Sequence, residues 1–228
     1  MKYRRTDRPL PAIYNARMHV TGMRPGANAP EENEIGELAA MKTLALIASV
    51  AALSIAAHAD ERRITKEALV AAPVEAVWKA WTTSEGIATF FAPEAKVDAR
   101  PDGDFHVYMN PYAPPGLKGA DDMRVMAVQE NKLISFSWNA PPHLAEARAQ
   151  RTFVTVRLQP EGTGTRVQIN HSGWGDGGQW DQAYDYFDKA WAAVLGNLQK
   201  RFVEGPRDWT DWRARMKAFQ AEQDKNQR

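Results

Sequence analysis

One stretch constrains the fold more than any other. From Gly178 to Val203 the chain reads GQWDQAYDYFDKAWAAVLGNLQKRFV. Trp180, Tyr184, Phe187, Trp191, Val194, Leu195, Leu198 and Phe202 recur in steps of three and four, so they share one face of a helix. Asp181, Asp185, Asp188, Lys189, Asn197 and Lys200 take the opposite face. Acids lie in the early turns and Lys200 and Arg201 in the last, as the helix dipole favours, and Gly205-Pro206 stops it. Such a helix is about 40 Å long and crosses a whole small domain. Its first half is aromatic and its second aliphatic, which predicts two different surroundings.

Ahead of this helix lie segments with the period of strands. Ile64 to Ala71 reads as a first strand. Pro73 then opens a short helix with Val74, Val77, Trp78 and Trp81 on one stripe, and a second short helix begins at Ser84. Six strand-like segments follow, separated by turn signals: Ala95 to Arg100, Asp104 to Asn110, Met123 to Gln129, Leu133 to Asn139, Thr152 to Gln159 and Thr165 to Ser172. Two proline-bearing loops, Asn110 to Asp121 and Ala140 to Gln150, interrupt them and are suited to form a rim or lid. Beyond the long helix, Trp209, Trp212, Met216 and Phe219 are spaced as an amphipathic extension over 206–228.

The N-terminus has a different character. Residues 1–40 hold no sustained period. Met41-Lys42-Thr43 opens an apolar run from Leu44 to Ala56 that closes on Ala57-His58-Ala59, the three-part plan of a secretory signal peptide cut after Ala59. The expected boundaries are therefore an over-extended, non-native segment over 1–40, a signal peptide over 41–59, and a domain over 60–205. The expected location is periplasmic or secreted, with no membrane span in the mature protein. A net charge of +1 gives no reason to expect nucleic acid. The absence of cysteine excludes disulfides, thiol catalysis and thiolate metal ligands.

The order of strand, two short helices, six strands and a long C-terminal helix resembles the START-like, or SRPBCC (Bet v 1-like), superfamily. Within it, Ala72 to Phe91, Asn131 to Trp138, Glu161 to Trp174 and Lys189 to Leu198 resemble the branch named after the activator of the heat-shock chaperone ATPase. The resemblance covers roughly Ile64 to Gly205. It implies an α+β helix-grip fold, with a curved antiparallel sheet wrapped around the long C-terminal helix and a cavity between them. That chaperone is cytosolic, whereas this chain reads as exported, so a chaperone role is not the expectation.

Strand alternation selects the side chains that face such a cavity. Phe105, Val107 and Met109 point inward, as do Phe136, Trp138 and His171; Trp180, Tyr184, Phe187 and Trp191 meet them from the helix. These ten suit a small hydrophobic or aromatic ligand. His171 is the one ionisable residue on the apolar face. It reads first as a satisfied core histidine and second as a ligand-bonding group or an acid/base. His106 alternates outward, and His143 lies in the second proline loop. No metal site and no cofactor are expected: the histidines are scattered, and Gly173 to Gly178 lacks the lysine of a phosphate loop. The expected function is ligand binding without transformation. Two alternatives stay open: a cyclase-, lyase- or hydrolase-like enzyme using His171 with Tyr184 or Tyr108, and a protein-interaction module using exposed Trp209 and Trp212.

Overall fold

A computed structural model describes residues 61–226. The signal-peptide and over-extension readings fall on residues outside that range. β1 (Ile64–Val70) leads through the turn at Ala71-Ala72 into α1 (Val74–Thr82) and α2 (Ser84–Ala88). Pro73 stands just before α1, and Thr83 caps α2 by accepting from the Gly86 amide at 2.9 Å. Then come β2 (Glu94–Val97), β3 (Phe105–Tyr108), the two-residue β4 (Gly119–Ala120), β5 (Val125–Gln129) and β6 (Leu133–Trp138). A single helical turn, α3 (Ala145–Arg148), precedes the hairpin of β7 (Thr152–Glu161) and β8 (Gly164–Ser172). The chain closes with α4 (Gly178–Glu204) and α5 (Thr210–Asn226). Among the described residues no helix is long and apolar enough to cross a membrane.

The strands form an antiparallel sheet in the order β1-β8-β7-β6-β5 and a smaller one in the order β2-β3-β4. The two run into one another where the Phe105 amide donates to the Met123 carbonyl at 2.9 Å and the Asp102 amide to the Val125 carbonyl at 2.8 Å. A bulge between Val125 and Ala127 bends the edge of the larger sheet. Two details differ from the sequence pattern. β2 and β3 are shorter than expected because Asp98, Arg100 and Gly103 bond among themselves in the turn. β4, inside the first proline loop, is too short to leave a period of its own. It pairs through Gly119, where a Cβ would meet the Val107 carbonyl at 2.5 Å, so only glycine fits.

Register carries the core. On β8, Val167, Ile169 and His171 are buried while Arg166, Gln168 and Asn170 face out. β7 does the same with Val154, Val156 and Leu158, and β6 with Ile134, Phe136 and Trp138. The helix α4 crosses this layer and buries Phe187, Trp191, Val194, Leu195 and Leu198 on it. Its polar face is tied to β1 by Asp188 to Lys66 at 2.7 Å and to the residues just before β1 by Asp181 to Arg62 at 2.5 Å. The sheet and helix thus form one continuous core, as the helix-grip architecture requires.

Candidate functional site

The buried histidine sits where α4 meets β8. Its Nδ1 accepts from the Trp191 indole N–H at 2.9 Å, and its Nε2 lies 2.7 Å from Thr152 Oγ1. An indole N–H can only donate, so Nδ1 is the acceptor and Nε2 carries the proton given to Thr152. The ring is fully buried and packs against Trp174, Phe187 and Trp191, with centroids 4.1, 5.1 and 5.8 Å away. Burial lowers its pKa to about 3. Both nitrogens are occupied and the neutral form is held, so His171 has no free lone pair or proton for a substrate.

Around this histidine the space between sheet and helix is filled. Phe105 and Phe136 stack at 3.8 Å and are fully buried, with Val107 beside them. Trp138, Trp191 and Phe91 meet one another at 5.6 to 5.9 Å. Trp180 is drawn away to Trp174 and to a satellite cluster of Ala140, Leu144, Ala147 and Ala183. Tyr184 points to the start of β1, where its hydroxyl donates to the Arg63 carbonyl at 3.1 Å and Arg62 covers its ring.

A cavity of about 580 Å³ adjoins this packed layer at Trp138 and Phe187. Of the ten residues singled out from the sequence, Met109, Trp138 and Phe187 line it. The first proline loop contributes Ala113, Pro114 and Leu117, the second Ala140 and Pro141, and Asn139 lies just ahead of it. Tyr186 of α4 and Met216 and Phe219 of α5 close the remaining side. The helix α5 buries none of its own residues. It is anchored at its start, where the Trp209 indole donates to the Ala88 carbonyl and that of Trp212 to Met109, each at 2.6 Å. Arg213 adds bonds to Pro93 and Glu94 at 2.7 Å. These tryptophans are therefore anchors and not an open apolar patch.

Arg148 and Asp121, which no spacing in the sequence singles out, fix the mouth. The Arg148 guanidinium donates to the carbonyls of Ala140 and Gly116 at 2.5 Å and of Gly119 at 2.8 Å. Asp121, 3.6 Å away, accepts from the amides of Gly116 and Gly119. One side chain on α3 thus straps both proline loops together, and burial pushes its pKa below the usual guanidinium value. Replacing it, as in Arg148→Met, is expected to cost about 2–3 kcal/mol in urea unfolding, because several carbonyls and Asp121 lose a charged partner together. Arg148→Lys is expected to recover little of this, since an ammonium lacks the fork that reaches both loops. Full stability in Arg148→Met would mean that the loops hold their places without the strap.

His106, expected outside, is half-buried on β3, with Nδ1 at 3.0 Å from the Tyr108 hydroxyl and Nε2 at 3.5 Å from Asp104. Asp104 also pairs with Lys96 and Arg124, which pulls its pKa down and staples the two sheets. Among the described residues no cluster of three or more His, Asp or Glu could hold a metal ion.

The family profile described as Activator of Hsp90 ATPase homolog 1-like protein matches residues 71–203. A crystal structure of a Mesorhizobium loti protein is 24% identical, covers 61% of this chain and 95% of its own, and superposes with a TM-score of 0.51. A Staphylococcus saprophyticus protein is 17% identical over 64% of this chain and 96% of its own, with a TM-score of 0.50. The solution structure of the Aha1 dimer from Colwellia psychrerythraea is 18% identical over 63% and 98%, also at 0.50. These are likenesses of fold. No curated protein matches the sequence.

Proposed function

The chain belongs to the activator of Hsp90 ATPase homolog 1-like family, and we propose that it binds a small hydrophobic or aromatic molecule, without transforming it, in the cavity framed by the two proline loops, α4 and α5. The observation that carries this reading is the cavity itself. Its volume of about 580 Å³ lies within the range of small-molecule sites, and its walls are mostly apolar. The strap of Arg148 holds both rims in place before any ligand arrives, which lowers the ordering cost of binding. An enzymatic reading through His171 gains no support, because Trp191 and Thr152 take both of its nitrogens. A protein-docking reading through Trp209 and Trp212 gains none either, because both indoles are bonded into the fold. The same proposal places the protein outside the cytoplasm, on the signal-peptide plan of residues 41–59.

Native mass spectrometry of the protein purified from its own cells tests both parts. The expected species begins at Asp60 and carries one small molecule. That adduct is expected to be absent from Leu117→Trp, a bulky change at an exposed wall position. A native chain retaining Tyr3 to Pro30 would overturn the export reading. An adduct unaffected by Leu117→Trp would overturn the site.

A further inference from the structure

The walls of the cavity are not held equally. Arg148 fixes the two proline loops, and α4 belongs to the continuous core. The remaining wall comes from α5, through Met216, Phe219, Gln220 and Gln223. This helix lies past the residues that match the family profile, which end at 203. Its ties to the rest of the fold are all at one end. The bonds of Trp209, Trp212 and Arg213 to Ala88, Met109, Pro93 and Glu94 secure its start. From Met216 onward, among the described residues, its side-chain hydrogen bonds stay within the helix, Gln220 to Asp224 and Lys225 to Glu222. No residue of this half is buried, and Phe219 is 53% exposed although it lines the cavity. Leu117 and Tyr186, on other walls, are exposed to 45% and 48%. About three turns of helix with no buried side chain are marginal in water. Apolar groups on three walls thus stand half in solvent, and one of these walls is attached by a single end.

We propose that the outer half of α5, residues 216–226, is a lid, hinged at Trp212 and Arg213, that becomes firmly ordered over a bound ligand through Met216 and Phe219. This rests on the cavity being a binding site, as proposed above. An apolar ligand gives Met216 and Phe219 a surface to pack on, so occupancy and helix formation stabilise each other. The loops on the facing side, strapped by Arg148, keep their places while the lid moves.

Hydrogen exchange of the full chain reads the lid directly, with and without N-phenyl-1-naphthylamine, an uncharged probe whose emission rises in apolar surroundings. Amides of 217–226 are expected to exchange about ten-fold or more slowly with the probe bound, while those of 191–198 in α4 change little. Ala218→Gly/Ala221→Gly tests the coupling. Both alanines are exposed and neither lines the cavity, so every wall side chain is kept. Each glycine disfavours the helix by about four- to five-fold. The pair is expected to weaken the probe by about ten-fold in fluorescence titration, with the main unfolding transition unmoved. A probe affinity indifferent to the glycine pair, or exchange over 217–226 indifferent to the probe, would make α5 a fixed wall and overturn this inference alone. Probe binding that is absent, or that ignores Leu117→Trp, would overturn the site and the lid with it.

Discussion

Lowering the pH from 7 to 4 is expected to cost the fold about 3 kcal/mol through one side chain, His171. The folded pKa is about 3 because the ring is fully buried, against an ordinary value of 6.5. The sign follows from proton counting. Between those two values the unfolded chain binds a proton that the folded chain does not, so stability rises with pH across that window. It is fully present above pH 6.5, falls as the solution is acidified, and stops changing near pH 3, after a total loss of roughly 4–5 kcal/mol. His171→Gln is the matched control. A glutamine can accept from the Trp191 indole and donate to Thr152, as the histidine does, but it does not titrate. Urea unfolding at several pH values is expected to show a wild-type slope steeper than that of His171→Gln by about 1.4 kcal/mol per pH unit between pH 6 and 4. Asp104 and Asp208, both held below the usual carboxylate range by their hydrogen-bond partners, lose their own contributions at lower pH in both proteins and cancel in the difference. Parallel slopes would mean that His171 takes up its proton in the folded state and that its site is not closed to water.

His171 is legible in the sequence through the two-residue period of β8: with Val167 and Ile169 inside, the histidine has to follow. The same logic exposes the face of α4 and the inner face of β6, because burial on one side leaves a strict mark on the residues of that side. Period says which way a side chain points, and nothing about whether the space it enters is empty. Phe105 and Phe136 do turn inward, yet they stack on each other and close the interior that the pattern leaves open. The cavity lies instead where the two proline loops meet α4 and α5, and the loops form much of its wall. Loop contacts depend on backbone carbonyls and on partners distant in sequence, as when Arg148 reaches Gly116 across 32 residues. A lone arginine in a single helical turn carries no signal of that kind. Trp209 and Trp212 mislead in the other direction. Their helical spacing suggests an exposed face, whereas their indole N–H groups decide their place, each bonded to a carbonyl more than 100 residues earlier.

Trp191→Ala is expected to destabilise the protein by about 3–5 kcal/mol, lowering Tm on the order of 10 °C. Trp191 is 1% exposed and stands where the aromatic and aliphatic halves of α4 meet. Its ring packs with Phe91, Trp138 and His171 from the rest of the core and with Phe187 one turn earlier on α4. Truncation removes that surface, leaves a void that close-packed neighbours refill only in part, and strips His171 of its donor. Trp191→Phe separates the two losses. It keeps most of the ring packing but cannot donate, so its cost is expected to be smaller, about 1–2 kcal/mol. A His171→Leu background then isolates the hydrogen bond, because there Trp191→Phe has no acceptor left to abandon. The expected outcome is a coupling of about 1 kcal/mol between the two positions, with the larger part of the Trp191→Ala loss unchanged in either background. Were Trp191→Phe to cost as much as Trp191→Ala, the hydrogen bond and not the packing would be what joins the long helix to the sheet. The division of α4 into an aromatic and an aliphatic half would then be incidental to its stability.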